Sequence, residues 1–236
     1  MANPSAKTIL IVAPHQDDEI IGCGGSIKFF QQKGYSISVV HVFLGVSGVI
    51  DNKGEESHKV RQREANNSAN LLNYKLLTNI GFTDREEVDQ SKLISQLIKI
   101  VRKISPSLLF IPHKNEQDCE HKIVSNACAE ASWMSCSTIF PELGKTLQKK
   151  PHILCYEVWT PLTKPNIFID ITNFEKDKTA ALELFASQVS SVDWVQGILG
   201  LNRYRGATLQ GGGLVETFEL MPTNLKYLIK TLSDEE

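Results

Sequence analysis

Five cysteines stand in this chain, at Cys23, Cys119, Cys128, Cys136 and Cys155, and no two of them make a Cys-x-x-Cys pair. An odd count without that pairing is the pattern of a reducing compartment rather than of a disulfide framework, so a cytoplasmic location is expected. No apolar run approaches the length of a membrane span, and Met1–Lys7 leads into too short an apolar run for a signal peptide. Charge of one sign is also missing. The 25 basic and 27 acidic residues are interspersed and leave a formal charge of -2, which removes the electrostatic support a nucleic-acid surface needs. A small-molecule substrate, neutral or anionic, fits better. No Gly-x-Ser-x-Gly elbow occurs, which argues against a serine hydrolase of that class. Gly22-Cys23-Gly24-Gly25 has Ile27 where a dinucleotide fingerprint needs its third glycine. There is no repeat, low-complexity tract or linker, so residues 1–236 are expected to form one domain.

What is there begins at the end of the first apolar run. Ile9-Leu10-Ile11-Val12-Ala13 is β-branched and continuous, as in a buried parallel strand, and Pro14 bounds it. It delivers His15, Gln16, Asp17, Asp18 and Glu19 to the carboxyl end of that strand, where open α/β sheets bind their ligands. Imidazole and carboxylate are both ordinary ligands of a divalent cation. Consecutive side chains in a strand-to-helix turn diverge, so Asp18 can face a metal while Asp17 faces the water that the metal acidifies. The ordinary alternative is that Asp17, Asp18 and Glu19 cap the following helix and complement its dipole.

A second cluster follows another apolar run. Ser107-Leu108-Leu109-Phe110-Ile111-Pro112 leads into His113, Glu116, Asp118, Glu120 and His121. In a doubly wound sheet the first and fourth strands are neighbours at the topological switch point, an arrangement that brings His15, Asp18 and His121 together. Three protein ligands leave a fourth position open, as catalytic sites require.

Pro14-His15-x-Asp17-Asp18-Glu19, the glycines that follow, and the later acid–histidine pair resemble the LmbE-like (PIG-L) family of zinc-dependent N-deacetylases. Arg61-x-x-Glu64-Ala65, the Glu116–His121 loop, Tyr156-Glu157-Val158-Trp159 and Asn202-Arg203-Tyr204-Arg205-Gly206 extend the resemblance over most of the chain. The last two segments are similar to the members that act on amino-sugar conjugates. The resemblance implies His15, Asp18 and His121 as zinc ligands, Asp17 as general base and Arg61 as a substrate contact. It implies hydrolysis of an N-acetyl amide on an N-acetylglucosamine-type conjugate, nucleotide sugar or glycan intermediate. Fe(II) or Co(II) suits the same donor set. The other reading is a non-catalytic or non-sugar member, either a ligand-binding protein or an amidase on another acyl group.

Two departures stand out. Gln16 replaces the proline usual in the first motif, which costs loop rigidity but removes no functional group. Asp118-Cys119-Glu120-His121 replaces a His-x-Asp-His pattern, so the general acid is open: a protonated Asp118, a group that Asp118 orients, or His113. Glu120 is expected to orient His121.

The remaining candidates have plainer readings. His41, inside an apolar run, reads as a core histidine. Arg61 and Glu64, three apart on a helix, read as an ion pair unless the resemblance holds. Arg203 and Tyr204 read either as a surface loop or as a grip on a sugar ring or phosphate.

The coarse pattern is strand 8–13, helix 18–33, strand 36–44, helix 56–72, strand 75–80, helix 88–104, strand 107–112 and helix 122–136. It predicts a Rossmann-like α/β domain with a mainly parallel sheet sandwiched by helices. Strands at 152–158 and 166–171, a helix over 175–190 and a glycine-punctuated tail then form a C-terminal segment capping the site. Loop 45–55 reads as a mobile lid. Self-association is expected only by analogy with other α/β hydrolases of this size.

Overall fold

The architecture was obtained as a computed structural model and is described over residues 7–47, 49, 54–190, 192–223, 228, 229 and 232. Its strands are β1 (Thr8–Ala13), β2 (Ser36–His41), β3 (Lys75–Leu76), β4 (Leu108–Pro112), β5 (His152–Tyr156), β6 (Ile167–Asp170) and β7 (Val215–Leu220). Among the described residues they make one sheet in the order β3-β2-β1-β4-β5-β7-β6. β1 runs parallel to β2 and β4, with Ile9 opposite Ile37 and Leu108, and β5 runs parallel to β4. Only β7 is antiparallel to its neighbours, β5 and β6. The expected adjacency of the first and fourth strands is present, and it creates the switch point.

Helices cover both faces: α1 (Asp18–Gln32), α2 (Glu55–Leu72), α3 (Gln90–Ile104), α4 (Cys119–Met134), α5 (Glu175–Glu183), α6 (Ala186–Val189) and α7 (Trp194–Gln210). Alternate strand residues point to opposite faces. Ile9, Ile11, Val39 and Phe110 therefore join a core under α1, α2, α5 and α7, while Leu10, Val12, Val40 and Leu109 join a second core under α3 and α4. A strand buried on both faces has no polar side to show, which is why β1 reads as an unbroken apolar run.

Three differences from the sequence reading have local causes. α4 begins at Cys119 rather than near 122, because Asp118 takes the N-cap position and its Oδ1 accepts from the Glu120 N–H at 2.8 Å. The stretch 175–190 breaks into α5 and α6 at Leu184-Phe185, where Phe185 turns inward and is fully buried. The glycine-punctuated tail is α7 followed by β7. Gly206, inside α7, lies where a Cβ would come within 2.1 Å of the Gly213 carbonyl oxygen. It permits close helix–strand packing.

The C-terminal segment does close over the site's flank. Ser187 of α6 donates through its N–H and hydroxyl to Glu64 of α2 at 2.8 and 2.6 Å, and the Phe185 ring lies 5.8 Å from the Arg61 guanidinium. Of the loop read as a lid, positions 48 and 50–53 lie outside the described residues, as do residues 1–6 of the segment tested for a signal peptide. No helix among the described residues is long and apolar enough to cross a membrane.

α1 is anchored from the side. Glu216 of β7 accepts from the Gly25 and Ser26 N–H groups at 2.9 and 2.7 Å, and buried Lys178 of α5 donates to Glu216 at 2.7 Å and to the Ile21 carbonyl at 2.8 Å. Gly22 lies so close to Tyr156 that a Cβ would fall 2.4 Å from its ring, and the Tyr156 hydroxyl donates to Val12 O at 2.9 Å. These contacts hold the first turn of α1 against the ends of β1 and β5.

Candidate metal centre

β1 ends at Ala13, and the chain turns sharply into α1 through Pro14-His15-Gln16-Asp17. Asp17 carries the turn at φ 121°, a conformation L-residues rarely adopt. Such a residue costs of order 1–3 kcal/mol and persists only where its surroundings fix it. They do so here. Asp17 O accepts from Ile20 and Ile21 N–H at 2.8 and 2.9 Å, and Asp17 N–H donates to Glu19 Oε2 at 3.2 Å. The Asp17 carboxylate makes no capping hydrogen bond, so helix capping does not account for it. Its neighbours have separate duties. Asp18 Oδ2 accepts from the His15 N–H at 2.8 Å, while Glu19 also accepts from His41 and Tyr74 at 3.1 and 2.8 Å. His41 is thus the core histidine the sequence indicated.

Gln16 makes up for the missing proline. Its Nε2 donates to the carbonyls of Phe43 and Leu44 at 3.1 and 3.2 Å, tying the turn to the end of β2.

His121, in the first turn of α4, arrives from the other strand end. Its Nε2 lies 3.3 Å from Asp18 Oδ2, and His15 Nδ1 lies 3.4 Å from the same oxygen. One ligand atom from each of His15, Asp18 and His121 falls within 4.8 Å of the others. Both ring nitrogens of His121 are buried and accept or donate no hydrogen bond. A buried polar atom left unpaired costs about 1–3 kcal/mol. A cation among the three groups would satisfy it, and two imidazoles with one carboxylate are a fitting donor set.

The electrostatics follow from this crowding. Burial alone would push the Asp18 carboxyl up, but the His121 and His15 imidazoles hold it well below the ordinary carboxylate range. Burial pushes His15 down, but Asp18 and Glu120 outweigh it and raise its pKa to about 10. Asp17 moves the other way. Desolvation, offset in part by Arg61, lifts it to about 6.

Glu120 serves a different histidine from the one expected. Its Oε2 meets His15 Nε2 at 2.8 Å, whereas His121 Nδ1 faces Glu116 Oε2 at 3.9 Å. Arg61 is buried on α2 and its Nη2 reaches Asp17 Oδ2 at 3.2 Å and the Gln16 carbonyl. Glu64 turns instead to Ser187, so the ordinary Arg61–Glu64 ion pair is not formed. Arg61 Nε and Nη1 are buried without partners.

The other candidates are engaged in scaffolding. His113 Nε2 lies 2.6 Å from the Thr160 carbonyl and 3.2 Å from Glu116 Oε1, and its Nδ1 accepts from the Asn115 N–H at 3.3 Å. Asp118, besides capping α4, accepts from Arg85 Nη2 at 2.8 Å. On α7, Arg203 pairs with Glu175 and Tyr204 is exposed. Among the described residues no hydrogen bond, ion pair or ring contact joins either to the cluster. Arg85 and the scaffold role of Glu116 escaped the sequence reading. Glu116 accepts from the N–H groups of Val158, Trp159 and Thr160 at 2.7, 3.2 and 3.1 Å, and no local spacing announces contacts over forty residues.

Comparison with known proteins agrees with this geometry. The chain is 27% identical over 195 residues to the diacetylchitobiose deacetylase of Thermococcus kodakarensis, covering 80% of this chain and 72% of that protein. It is 24% identical over 202 residues to a 4-oxalmesaconate hydratase of Pseudomonas putida, covering 79% and 76%. The solved N,N'-diacetylchitobiose deacetylase of Pyrococcus horikoshii superposes with a TM-score of 0.83 at 27% identity, covering 92% of this chain and 84% of that one. The sequence profile of the PIG-L family, described as GlcNAc-PI de-N-acetylase, matches residues 10–132. Since that span is just over half of the chain and runs from β1 into α4, carrying both strand-end clusters, the protein belongs to the PIG-L family.

Proposed function

We propose that the protein is a zinc-dependent N-deacetylase that removes the acetyl group from an N-acetylglucosamine-type conjugate, and that residues 1–236 act as one domain. The observation that carries this reading is the convergence of His15, Asp18 and His121 beside a carboxylate, Asp17, that is spent on neither capping nor ligation. His15, Asp18 and His121 hold the metal in this reading. Bound there, a divalent cation supplies Lewis-acid polarisation of the acetyl carbonyl and acidifies water.

The protein's own groups do the rest. Asp17, raised toward neutrality by burial, takes the proton from the attacking water. Arg61 steers the Asp17 carboxylate and keeps Nε and Nη1 free to donate to the substrate. Three groups are candidates for returning the proton. Asp118 is held below its ordinary range by Arg85 despite partial burial, so it is ionised and has no proton to give. The His113 donor is committed to Thr160. Asp17, protonated after the first step, then delivers the proton to the departing amine. In this assignment Asp118 and His113 are positioning residues, and Arg203 and Tyr204 have no contact with the reacting groups. The five cysteines, all free, support a cytoplasmic setting.

The test is acetate release from a panel of N-acetylglucosamine conjugates, with metal stripped by chelator and zinc, Fe(II) or Co(II) restored separately. Release that disappears with the metal and returns best with zinc is the expected result. A metal-loaded protein that releases no acetate from the panel overturns the reading, and the hydratase relative then makes hydration the next activity to assay.

A further inference from the structure

Arg85 lies beyond β3 in a segment whose backbone is tied to the strip that follows β2. Phe82 N–H donates to the Val42 carbonyl at 3.1 Å, and Leu44 N–H donates to the Phe82 carbonyl at 2.9 Å. Asp84, 6% exposed, accepts from the Gly45 N–H at 2.8 Å and from the Ser47 N–H and hydroxyl, each at 3.1 Å. The same strip carries Phe43, whose ring stacks on the His15 imidazole at 5.4 Å between centroids. Arg85 therefore starts from a backbone fixed against the segment that covers one face of His15.

Its own contacts reach that histidine's far edge through one intermediary. The Arg85 N–H donates to Glu120 Oε1, Nη1 lies 3.5 Å from Glu120 Oε2, and Nη2 donates to Asp118 Oδ2 at 2.8 Å. Glu120 Oε2 is the atom that meets His15 Nε2 at 2.8 Å, and Asp118 Oδ1 accepts from the Glu120 N–H at 2.8 Å. Arg85 thus touches both oxygens of the carboxylate that turns His15, and it also holds the cap of the helix that carries this carboxylate. Contacts to both oxygens fix the plane of a carboxylate as well as its position.

Three features separate this arrangement from an ordinary surface pair. Arg85 has φ 63°, a left-handed conformation that glycine or asparagine adopts at lower cost, so the backbone does not call for arginine there. Its side chain is 55% exposed, and exposed ion pairs add little to stability. Two carboxylates against one guanidinium leave no excess positive charge to attract an anionic substrate. What remains for the guanidinium is to give direction to Glu120, which is itself 2% exposed.

We propose that Arg85 is a positioning residue of the metal centre: with its N–H and guanidinium it fixes the Glu120 carboxylate, and so the direction in which His15 Nδ1 is offered to the cation. The proposal rests on the metal-binding part of the deacetylase reading and is independent of the substrate.

The experiment measures zinc affinity by chelator competition, and the visible absorption of bound Co(II), for the full chain, Arg85→Asn, Glu120→Ala and the double variant. Asparagine keeps the main-chain N–H and suits the left-handed turn, so the substitution removes the guanidinium alone. Arg85→Asn is expected to weaken zinc binding about tenfold, the low end of what such outer partners of a metal ligand contribute. It is also expected to shift the Co(II) spectrum while leaving the Tm of the metal-free protein unchanged. Added to Glu120→Ala, the same substitution is expected to change affinity by less than about twofold, because residues acting through one another are not additive. Unaltered affinity and spectrum in Arg85→Asn overturn the proposal, as does a lowered Tm with affinity unchanged. A further tenfold loss in the double variant shows a route other than Glu120 and overturns it too. Should Arg85→Asn fail to fold, Arg85→Lys makes the same test, since one ammonium cannot span both carboxylates. An unaltered protein that binds neither ion overturns the metal centre itself, an outcome read before any variant is compared.

Discussion

His15 and Glu120 are 105 positions apart in the chain, and their side chains meet at 2.8 Å through His15 Nε2. That contact leaves His15 Nδ1 facing Asp18, so a carboxylate from α4 sets which nitrogen of the β1 histidine is offered to a cation. A carboxylate that orients a ligating histidine in this way is typically worth 10–100-fold in metal affinity. Glu120→Ala is therefore expected to weaken zinc binding by about that factor, measured by chelator competition, with circular dichroism unchanged. Unaltered affinity would remove Glu120 from the metal site.

Asp17→Asn keeps the shape of the side chain, and asparagine tolerates the left-handed turn better than most residues. The variant is expected to lose about 10²–10⁴-fold in kcat while retaining roughly one metal per chain, measured by elemental analysis on the same preparation. Wild-type turnover would sink the base assignment, and loss of metal would recast Asp17 as a ligand.

Lys178 is fully buried and pairs with Glu216 at 2.7 Å. Removing one partner of a buried pair leaves an uncompensated charge at a cost of about 3–5 kcal/mol. Lys178→Met is expected to lower the unfolding free energy by that amount in denaturant titration, and Glu216→Gln added to it to recover part of the loss.

At Gly206 a methyl group would meet the backbone of Gly213 rather than a flexible side chain. Gly206→Ala is expected to destabilise by about 1–3 kcal/mol, seen as a lower Tm, by prising α7 from the start of β7. An unchanged Tm would show that α7 can shift without loss.

Much of the fold was legible because its signals are local. β1 and β4 are apolar on both faces and could be read as buried parallel strands from composition alone. His15, Asp18 and His121 were legible for the same reason, since strand ends of such sheets are where ligands gather. α7 was hidden because its glycines, read locally, are helix breakers, whereas Gly206 answers to the backbone of Gly213 on the far side of the turn that ends the helix. β7 was hidden with it.

The sequence by itself determined the alternation of strands and helices as far as α4 and supplied the candidate metal-binding groups His15, Asp18 and His121, because each depends on residue type and short spacing. Only the tertiary structure decided the partners: Glu120 for His15 and not for His121, Arg61 for Asp17 and not for Glu64, and Gln16 as a tether to β2. The physical reason is directional. Hydrogen bonds and ion pairs depend on distances of about 3 Å and on orientation, and those are set by how α1, α2, α4 and α7 pack on the sheet.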